Sequence, residues 1–362
     1  MQPIRVLVVD DSALMRKLIP QMLERDGSIQ VVGTAMDGKF ALAKIAELKP
    51  DVITLDLEMP RMDGTETLRE LTRKHRLPVI VVSAHTTAGA AATFKALAMG
   101  ALDFVAKPVD AFQHMDEIAA ELISKIKIAA QSTIGATPAL AQAPQPGKPT
   151  QPRAILPPTK IVAIGISTGG PNTLQYVLSQ LPADFPGSIL VVQHMPEGFT
   201  EMFARRLDGS CAIAVKEACS GDLLVAGRAL IAPGNRHMRV RRMPLGAVTV
   251  LSDEDRVNGH RPSVDVLFRS VAQEFGARSI AALMTGMGDD GADAMGAVKA
   301  AGGLTIAQSA ESCVVFGMPK AAIERGHAER VLSLDALANT LQAQCGIVRN
   351  EPVAGIAPQP AV

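Results

Sequence analysis

Five side chains suited to binding a phosphoryl group and a metal ion follow short apolar runs within the first 107 residues. They are Asp10, Asp11, Asp56, Ser83 and Lys107. Three carboxylates brought together repel one another, and a hard divalent cation such as Mg²⁺ relieves that repulsion. One carboxylate can then accept a phosphoryl group while the ammonium and the hydroxyl bind its oxygens. Asp11 could instead only cap a helix, so the prediction of an acyl-phosphate site depends on the whole set.

An alternation of strands and helices places these five residues at one edge of a sheet. The predicted strands are Ile4–Val9, Gln30–Ala35, Val52–Leu57, Val79–Ser83 and Phe104–Lys107. The predicted helices are Ala13–Arg25, Lys39–Leu48, Glu66–His75, Ala88–Met99 and Ala111–Lys127. This order predicts an α/β domain with a five-stranded, doubly wound parallel sheet, whose carboxyl edge binds ligands.

A serine, a histidine and two adjacent aspartates form a second group of chemically capable residues. Ser167 lies in a Gly-x-Ser-x-Gly frame between a predicted strand and a helix, where a hydroxyl can lie near backbone N–H groups. His194 follows the next strand, and Asp289 and Asp290 lie in a glycine-rich turn after a later one. A serine nucleophile needs a base and a carboxylate that orients the base. The group predicts a nucleophilic hydrolase site in which either aspartate could supply the carboxylate.

Three other histidines compete for the role of base. His237 also follows a predicted strand and is the second choice, whereas His327 falls in a charged helical stretch and is expected to be solvated. His260 is the third competitor and receives no role. The serine frame alone would equally suit a phosphate-binding turn or a simple tight connection.

The second half of the chain also alternates strands with helices. Its predicted strands are Ile161–Ile166, Ile189–Val192, Ala229–Ile231, Ile280–Met284 and Leu304–Ala307. Two further runs, Met238–Arg241 and Ala247–Leu251, flank a short loop and predict a hairpin attached to an otherwise parallel sheet. The prediction is therefore a second α/β domain with an added β-hairpin.

Between the two halves the composition changes sharply, since seven of the 24 prolines lie between Pro138 and Pro158. Such a segment is typical of a linker. We predict a first domain over 1–127, a Pro/Ala/Gln-rich linker over 128–158, a second domain over 159–346 and a disordered tail over 347–362.

Composition excludes several classes of function. The 36 basic and 36 acidic residues cancel, and aromatic residues make up 3% of the chain, so nucleic-acid binding is not expected. The four cysteines form no closely spaced pair, which favours reduced thiols. No apolar run is long enough for a membrane span or a signal peptide, so we predict a cytoplasmic protein without membrane insertion.

The motifs VLVVDDS, LDLEMPRMDG, VVSA and DFVAKP resemble the receiver domain of bacterial two-component response regulators. The resemblance implies that Asp56 accepts the phosphoryl group from a histidine kinase and that Lys107 contacts it. It implies that Ser83 and Phe104 form the switch pair. It also implies an Mg²⁺ site formed by Asp10, Asp11, Asp56 and the backbone carbonyl of Glu58.

The motifs GISTGG, VVQHMPEGFT, RLD, APGNRHM, HRPSVDVLF and LMTGMGDDGA resemble the catalytic domain of the chemotaxis protein-glutamate methylesterases. The resemblance implies that Ser167 is the nucleophile, His194 the base and Asp290 the orienting carboxylate. It implies that the backbone amide of Met287 contributes to the oxyanion site. The order Ser, His, Asp along the chain differs from that of the α/β-hydrolases.

Together the two resemblances imply hydrolysis of glutamate methyl esters, and deamidation of certain glutamines, on methyl-accepting chemotaxis receptors. No cofactor is expected for the esterase step, and phosphorylation is expected to release a receiver that packs across the esterase site. Two alternatives keep the receiver but replace the esterase with a binding module or with a DNA-binding output. The neutral charge disfavours the second of these.

Overall fold

The computed structural model describes residues 2–84, 86–107, 115–131 and 156–346, and they form two α/β units. Within these ranges no helix combines the length and the apolar character needed to cross a membrane. The predictions for 132–155 and for the tail after Gly346 lie outside the described residues. The fold class predicted from the sequence is confirmed in both units.

The first unit is a five-stranded parallel sheet with strand order β2-β1-β3-β4-β5. Its strands are β1 Ile4–Val9, β2 Ile29–Ala35, β3 Val52–Leu55, β4 Val79–Ser83 and β5 Asp103–Ala106. Its helices are α1 Met15–Leu23, α2 Gly38–Leu48, α3 Gly64–Lys74, α4 Thr87–Ala98 and α5 Met115–Gln131. The helix α5 extends beyond Lys127, where the sequence analysis predicted its end.

The second unit contains a seven-stranded parallel sheet with strand order β14-β13-β12-β6-β7-β9-β8. Its strands are β6 Ile161–Ile166, β7 Ser188–Gln193, β8 Ala214–Glu217, β9 Arg228–Ile231, β12 Ser279–Leu283, β13 Leu304–Gln308 and β14 Arg330–Leu332. Its helices are α6 Gly170–Ser179, α7 Phe199–Ser210, α8 Val264–Phe275, α9 Ala292–Ala300, α10 Met318–Glu324 and α11 Leu334–Gly346. A separate hairpin consists of β10 His237–Met243 and β11 Gly246–Ser252.

Two features of the second unit refine the sequence prediction. The hairpin forms its own two-stranded sheet and packs against α8, where Val240 N–H donates to Ser270 Oγ at 3.2 Å. The edge strands β8 and β14 were not predicted from the sequence. Both are short and carry charged residues, so they lack the continuous apolar run of a central strand.

The strand register places the chemically capable residues beside one another. Ile166 pairs with Gln193 at the ends of β6 and β7, so Ser167 and His194 each come directly after a registered pair on adjacent strands. The strand β12 pairs with the other side of β6 and leads into the turn that contains Asp290. Adjacent strands lie about 4.8 Å apart, so three neighbouring strand ends bring the three side chains to one edge.

Replacing Leu267 by alanine tests the core of the second unit. Leu267 on α8 is fully buried, so we expect the loss of about 2–5 kcal/mol of unfolding free energy. The matched variant Leu245→Ala changes a leucine that is 96% exposed, and we expect an effect within about 0.5 kcal/mol. Urea unfolding can be followed by the fluorescence of Tyr176 on α6, because the chain has one tyrosine and no tryptophan. Equal unfolding midpoints for the two variants would contradict the assigned packing.

Candidate functional site

The acidic cluster of the first unit lies at the carboxyl edge of its sheet. Asp10 and Asp56 are buried and Asp11 is exposed, and ligand oxygens from the three lie within 4.8 Å of one another. Lys107 Nζ lies 2.7 Å from Asp56 Oδ2 and 2.9 Å from Asp10 Oδ2. Oxygen-rich sets of this kind fit Mg²⁺. The predicted residues thus come together in a set that suits both a divalent cation and a phosphoryl group.

The charges of this cluster depend on one another. Burial raises the pKa of Asp56, Lys107 opposes this shift, and the nearby Asp10 carboxylate adds to it, so the net direction is upward. Burial by itself would lower the pKa of Lys107, but the carboxylates of Asp56 and Asp10 hold it above its ordinary value. The ammonium therefore stays charged and positioned beside the carboxylate that is predicted to react.

The remaining predicted receiver residues lie around this cluster. Ser83 Oγ donates to the carbonyl of Gly89 on α4 at 3.1 Å, so in this structure the hydroxyl bonds to the helix. Glu58 is exposed, and its backbone N–H donates to Asp56 Oδ1 at 3.2 Å. Phe104 is buried, and its ring stacks on Phe199 of the second unit with 4.8 Å between ring centroids.

In the second unit, Asp290 and His194 form a direct hydrogen bond. His194 Nε2 lies 2.9 Å from Asp290 Oδ2, and the two side chains are 9% and 1% exposed. The neighbouring Asp289 is exposed and pairs with Arg325 instead. Reasoning from strand ends left the two aspartates equivalent, and the family resemblance implied Asp290; in the structure Asp290 is the one that contacts the histidine.

Ser167 lies beside this pair at the end of β6. Its N–H donates to the carbonyl of Thr285 at 3.0 Å, and its carbonyl accepts from Gln193 Nε2 at 2.9 Å. A Cβ on Gly286 would lie 2.8 Å from Ser167 Cβ, so only glycine allows this turn to approach the serine so closely. Met287 follows Gly286 in the same turn.

A set of donors around Asp290 keeps its carboxylate ionised. Ser263 Oγ donates to Oδ1 at 2.7 Å, the Val264 N–H donates to Oδ2 at 2.7 Å, and Asn258 Nδ2 donates to Oδ1 at 3.0 Å. Burial alone would raise the pKa of Asp290, but the hydrogen bonds from His194, Ser263 and Val264 outweigh it and hold the pKa well below its usual range. The carboxylate is therefore a fixed negative charge next to His194.

Two of the three competing histidines, His237 and His327, are occupied elsewhere. His237 is fully buried: Nε2 lies 2.9 Å from the carbonyl of Asp255, and Nδ1 accepts from the Ser263 N–H at 3.2 Å. The second-choice base therefore has a structural role. The prediction for His327 was wrong, because it lies outside any helix, is half-buried, and places Nδ1 2.8 Å from the carbonyl of Ala292.

The segment from Asn258 to Ser263 contacts Asp290 and His194, and its role was not predicted from the sequence. Asn258, His260 and Ser263 received no role, yet two of them bond to Asp290 and the ring of His260 stacks on His194. For His260 and Ser263 the motif HRPSVDVLF was the available signal, because it contains a histidine, a serine and two charged residues and yet fell outside every predicted strand and site. Its contacts run through a loop, which strand-end reasoning does not address.

The two units meet next to the hydrolase-type cluster. Ser124 Oγ on α5 lies 2.7 Å from Met287 Sδ, and Phe94 stacks on Phe203 with 5.5 Å between centroids. Arg206 Nη1 donates to the carbonyl of Phe94 at 2.5 Å. In addition, Asn172 Nδ2 donates to the carbonyl of Leu97 at 2.8 Å. The face formed by α4, β5 and α5 is therefore covered by the second unit.

A phosphoacceptor-type acidic cluster on one sheet and a Ser–His–Asp cluster on another are features of a response regulator with a hydrolase output domain. Family models agree: one described as a response regulator receiver domain matches residues 6–119, and one described as CheB methylesterase matches residues 162–341. The chain belongs to the CheB methylesterase family, as the relatives below show. The family resemblance of both units is thereby confirmed.

Relatives match along nearly the whole chain. A Koribacter versatilis (strain Ellin345) protein named protein-glutamate methylesterase/protein-glutamine glutaminase 2 is 65% identical over 363 residues, which is 96% of this chain and 98% of the relative. A Symbiobacterium thermophilum protein named protein-glutamate methylesterase/protein-glutamine glutaminase is 46% identical, covering 95% and 98% of the two chains. The crystal structure of the Thermotoga maritima CheB methylesterase catalytic domain matches 51% of this chain and 98% of its own, with 42% identity and a TM-score of 0.50.

Replacing Asp290 by asparagine tests the electrostatic role of the buried carboxylate. Its folded-state pKa is lowered, so Asp290 stabilises the fold above its ordinary pKa of 3.8, and this stabilisation is lost as the pH falls below that value. We expect Asp290→Asn to lower the unfolding free energy by about 1–3 kcal/mol near pH 7, and the difference from wild type to shrink towards about pH 3. The measurement is urea unfolding followed by Tyr176 fluorescence.

The matched control for this prediction is Asp289→Asn. This aspartate is exposed and pairs at the surface with Arg325, so its replacement should change the unfolding free energy little at either pH. A difference between Asp290→Asn and wild type that stays constant with pH would contradict the ionised, buried carboxylate.

Proposed function

We propose that this chain is a protein-glutamate methylesterase and protein-glutamine deamidase whose activity is controlled by phosphorylation. The observation that carries the proposal is the buried hydrogen bond between His194 and Asp290 at the strand end next to Ser167. The names of the relatives support the two reactions. The proposed substrates are methylated glutamates and certain glutamines on methyl-accepting chemotaxis receptors.

In the proposed reaction Ser167 is the nucleophile and His194 is the base. Because Nε2 of His194 is bonded to Asp290, Nδ1 is the nitrogen left to take the proton from Ser167 Oγ. That nitrogen is buried and makes no hydrogen bond to any described residue. As the proton moves, Oγ forms a bond to the substrate carbonyl carbon, and the carbonyl electrons move onto its oxygen.

Backbone N–H groups are proposed to stabilise that oxygen. Ser167 lies just before the N-terminus of α6, where unpaired N–H groups favour negative charge, and Met287 N–H lies in the neighbouring turn. His194 then returns the proton to the leaving group, which departs as methanol from an ester or as ammonia from an amide. Water then gives a proton to His194 and attacks the acyl carbon. The bond from that carbon to Ser167 Oγ breaks, Oγ takes the proton back from His194, and the glutamate side chain leaves as its free acid, which ionises to the carboxylate.

The proposed control begins at Asp56, which accepts a phosphoryl group from a histidine kinase. Asp10, Asp11, Asp56 and the carbonyl of Glu58 would bind Mg²⁺, which neutralises charge on the phosphoryl oxygens when it is bound. Lys107 would bind a phosphoryl oxygen, as its present contact with two carboxylates supports. Ser83 would exchange its bond to Gly89 for one to the phosphoryl group.

Phe104 is proposed to carry this change to the interface. Its ring stacks on Phe199, and Lys125 Nζ donates to its carbonyl at 2.5 Å. A rearrangement of Ser83 and α4 would disturb the packing of Phe94 and Phe104 against the second unit and release it. The contact between Ser124 and Met287 supports the view that the closed arrangement obstructs the serine.

We further propose the division into a receiver over 1–127, a linker over 128–158, a catalytic domain over 159–346 and a tail over 347–362. Family matches to 6–119 and 162–341 support the two domains. A cytoplasmic location follows from the proposed kinase and from receptor substrates on cytoplasmic helices.

The central test measures methanol release from methylated receptor membranes. We expect wild-type protein to release methanol and Ser167→Ala to lose about 10³-fold or more of the rate, because the nucleophile is gone. The control Ser179→Ala removes a hydroxyl at the other end of α6, which donates to the carbonyl of Tyr176 in the same helix, and it should keep full activity.

Each protein is measured with and without acetyl phosphate and Mg²⁺, and Asp56→Asn is included. The phosphodonor should raise the wild-type rate and leave the Asp56→Asn rate unchanged. Release that persists in Ser167→Ala would refute the proposed nucleophile. Receptor binding without any release would favour a binding module.

Loosening the interface should activate the enzyme without phosphorylation. Arg206→Ala removes the charged hydrogen bond to the carbonyl of Phe94, worth about 1.5–3 kcal/mol, which corresponds to about tenfold or more in the closed-to-open equilibrium. We expect a basal rate about tenfold higher and a smaller response to phosphodonor. The adjacent Arg205→Ala is the control, because Arg205 pairs with Glu201 on its own helix. An unchanged basal rate in Arg206→Ala would argue against an inhibitory interface.

A further inference from the structure

A tight two-residue turn lies over the side of the hydrolase-type cluster. Val257 and His260 exchange two backbone hydrogen bonds, of 3.1 and 2.9 Å. The residues between them, Asn258 and Gly259, have φ angles of +53° and +77°. An Asn-Gly pair with both φ angles positive is the preferred sequence for such a turn. The backbone conformation of this loop is therefore set locally by its own sequence.

The asparagine of the turn binds two buried carboxylates. Asn258 Nδ2 donates to Asp290 Oδ1 at 3.0 Å and lies 3.2 Å from Asp265 Oδ2. Asp265 in turn accepts from the N–H groups of Gly291 and Ala294 at the start of α9. The turn is thus joined to the helix that follows Asp290.

The last residue of the turn lies flat on the proposed base. The rings of His260 and His194 are 3.8 Å apart between centroids and only 5° from parallel. The ring torsion of a histidine has a broad preference, and the single hydrogen bond from Nε2 to Asp290 leaves the ring free to tilt about that bond. A second flat ring in contact removes this freedom. Stacking therefore fixes the direction in which Nδ1 of His194 points.

We propose that the turn from Val257 to His260 positions the proposed catalytic pair, with His260 as a positioning residue that fixes the plane of the His194 ring while Asn258 fixes Asp290. This inference rests on the proposed function. His260 acts through His194 and is not itself required to transfer a proton.

The surroundings of His260 favour the uncharged form of its ring. Burial lowers the pKa of His260 to about 4, His194 and Arg256 lower it as well, and Asp290 and Asp289 oppose them. Near neutral pH the ring is therefore uncharged. An uncharged ring does not repel the imidazolium that forms on His194 during the reaction.

The test compares His260→Ala with His260→Phe in the full-length protein activated by acetyl phosphate and Mg²⁺. We expect His260→Ala to lower kcat for methanol release about 10–100-fold with KM changed less than about twofold, because the base is misaligned. His260→Phe keeps a flat ring and should recover most of kcat. His75→Ala, on the receiver, is the control for the loss of a histidine.

A second measurement does not depend on turnover. In ¹H–¹⁵N NMR correlation spectra near neutral pH, wild-type His194 should show one tautomer with the proton on Nε2, and His260→Ala should show a mixture or a broadened signal. Asn258→Gly keeps the turn, because glycine adopts positive φ, but removes the amide, and should also perturb the His194 signal.

The outcomes separate this inference from the proposed function. If wild-type protein releases no methanol, or Ser167→Ala releases as much, the proposed function fails. If release depends on Ser167 but His260→Ala has wild-type kcat and an unchanged His194 signal, the positioning role is overturned. Equal loss of kcat in the phenylalanine and alanine variants would also overturn it, because stacking would then not be the property that matters.

Discussion

A carboxylate that is 1% exposed must have its charge balanced by nearby donors, and the catalytic half of this chain is arranged around that requirement at Asp290. The compensating groups come from different parts of the chain. They are the His194 ring after β7, the side-chain amide of Asn258, and the Ser263 hydroxyl and Val264 N–H at the start of α8. The carboxylate therefore joins strand ends and a loop that would otherwise be independent. Its hydrogen bond to His194 follows from this burial.

The receiver also contains buried carboxylates, but there a lysine ammonium balances their charge. Asp10 and Asp56 are buried side by side, and Lys107 is the ammonium that balances them in this structure. Burial and Asp10 keep the pKa of Asp56 above its ordinary value, whereas donors keep the pKa of Asp290 below it. Two buried carboxylates of this chain thus have pKa values shifted in opposite directions by their surroundings.

The site residues that lie at strand ends could be predicted from the sequence, whereas those that lie in loops could not. Ser167 and His194 could be placed because an apolar strand ends directly before each of them and parallel strands share a carboxyl edge. Reasoning from strand ends could not decide between Asp289 and Asp290, because they are neighbours in one turn. Which of them is buried depends on the packing of Asp290 against α8 and on the pairing of Asp289 with Arg325. His237 looked like a base for the same reason as His194, because it follows β9 of the parallel sheet, but it is the first residue of β10 in the separate hairpin and is fully buried there. Asn258 and His260 act through a turn whose contacts are distant in sequence.

The interface between the domains has a consequence for how the protein behaves when it opens. Four phenylalanine rings meet there, Phe94 and Phe104 from one side and Phe199 and Phe203 from the other, and all four are nearly fully buried in the closed form. Separation of the domains uncovers an apolar patch on each of them at once. The open form is therefore the more aggregation-prone one. Truncation to either domain alone makes that exposure permanent.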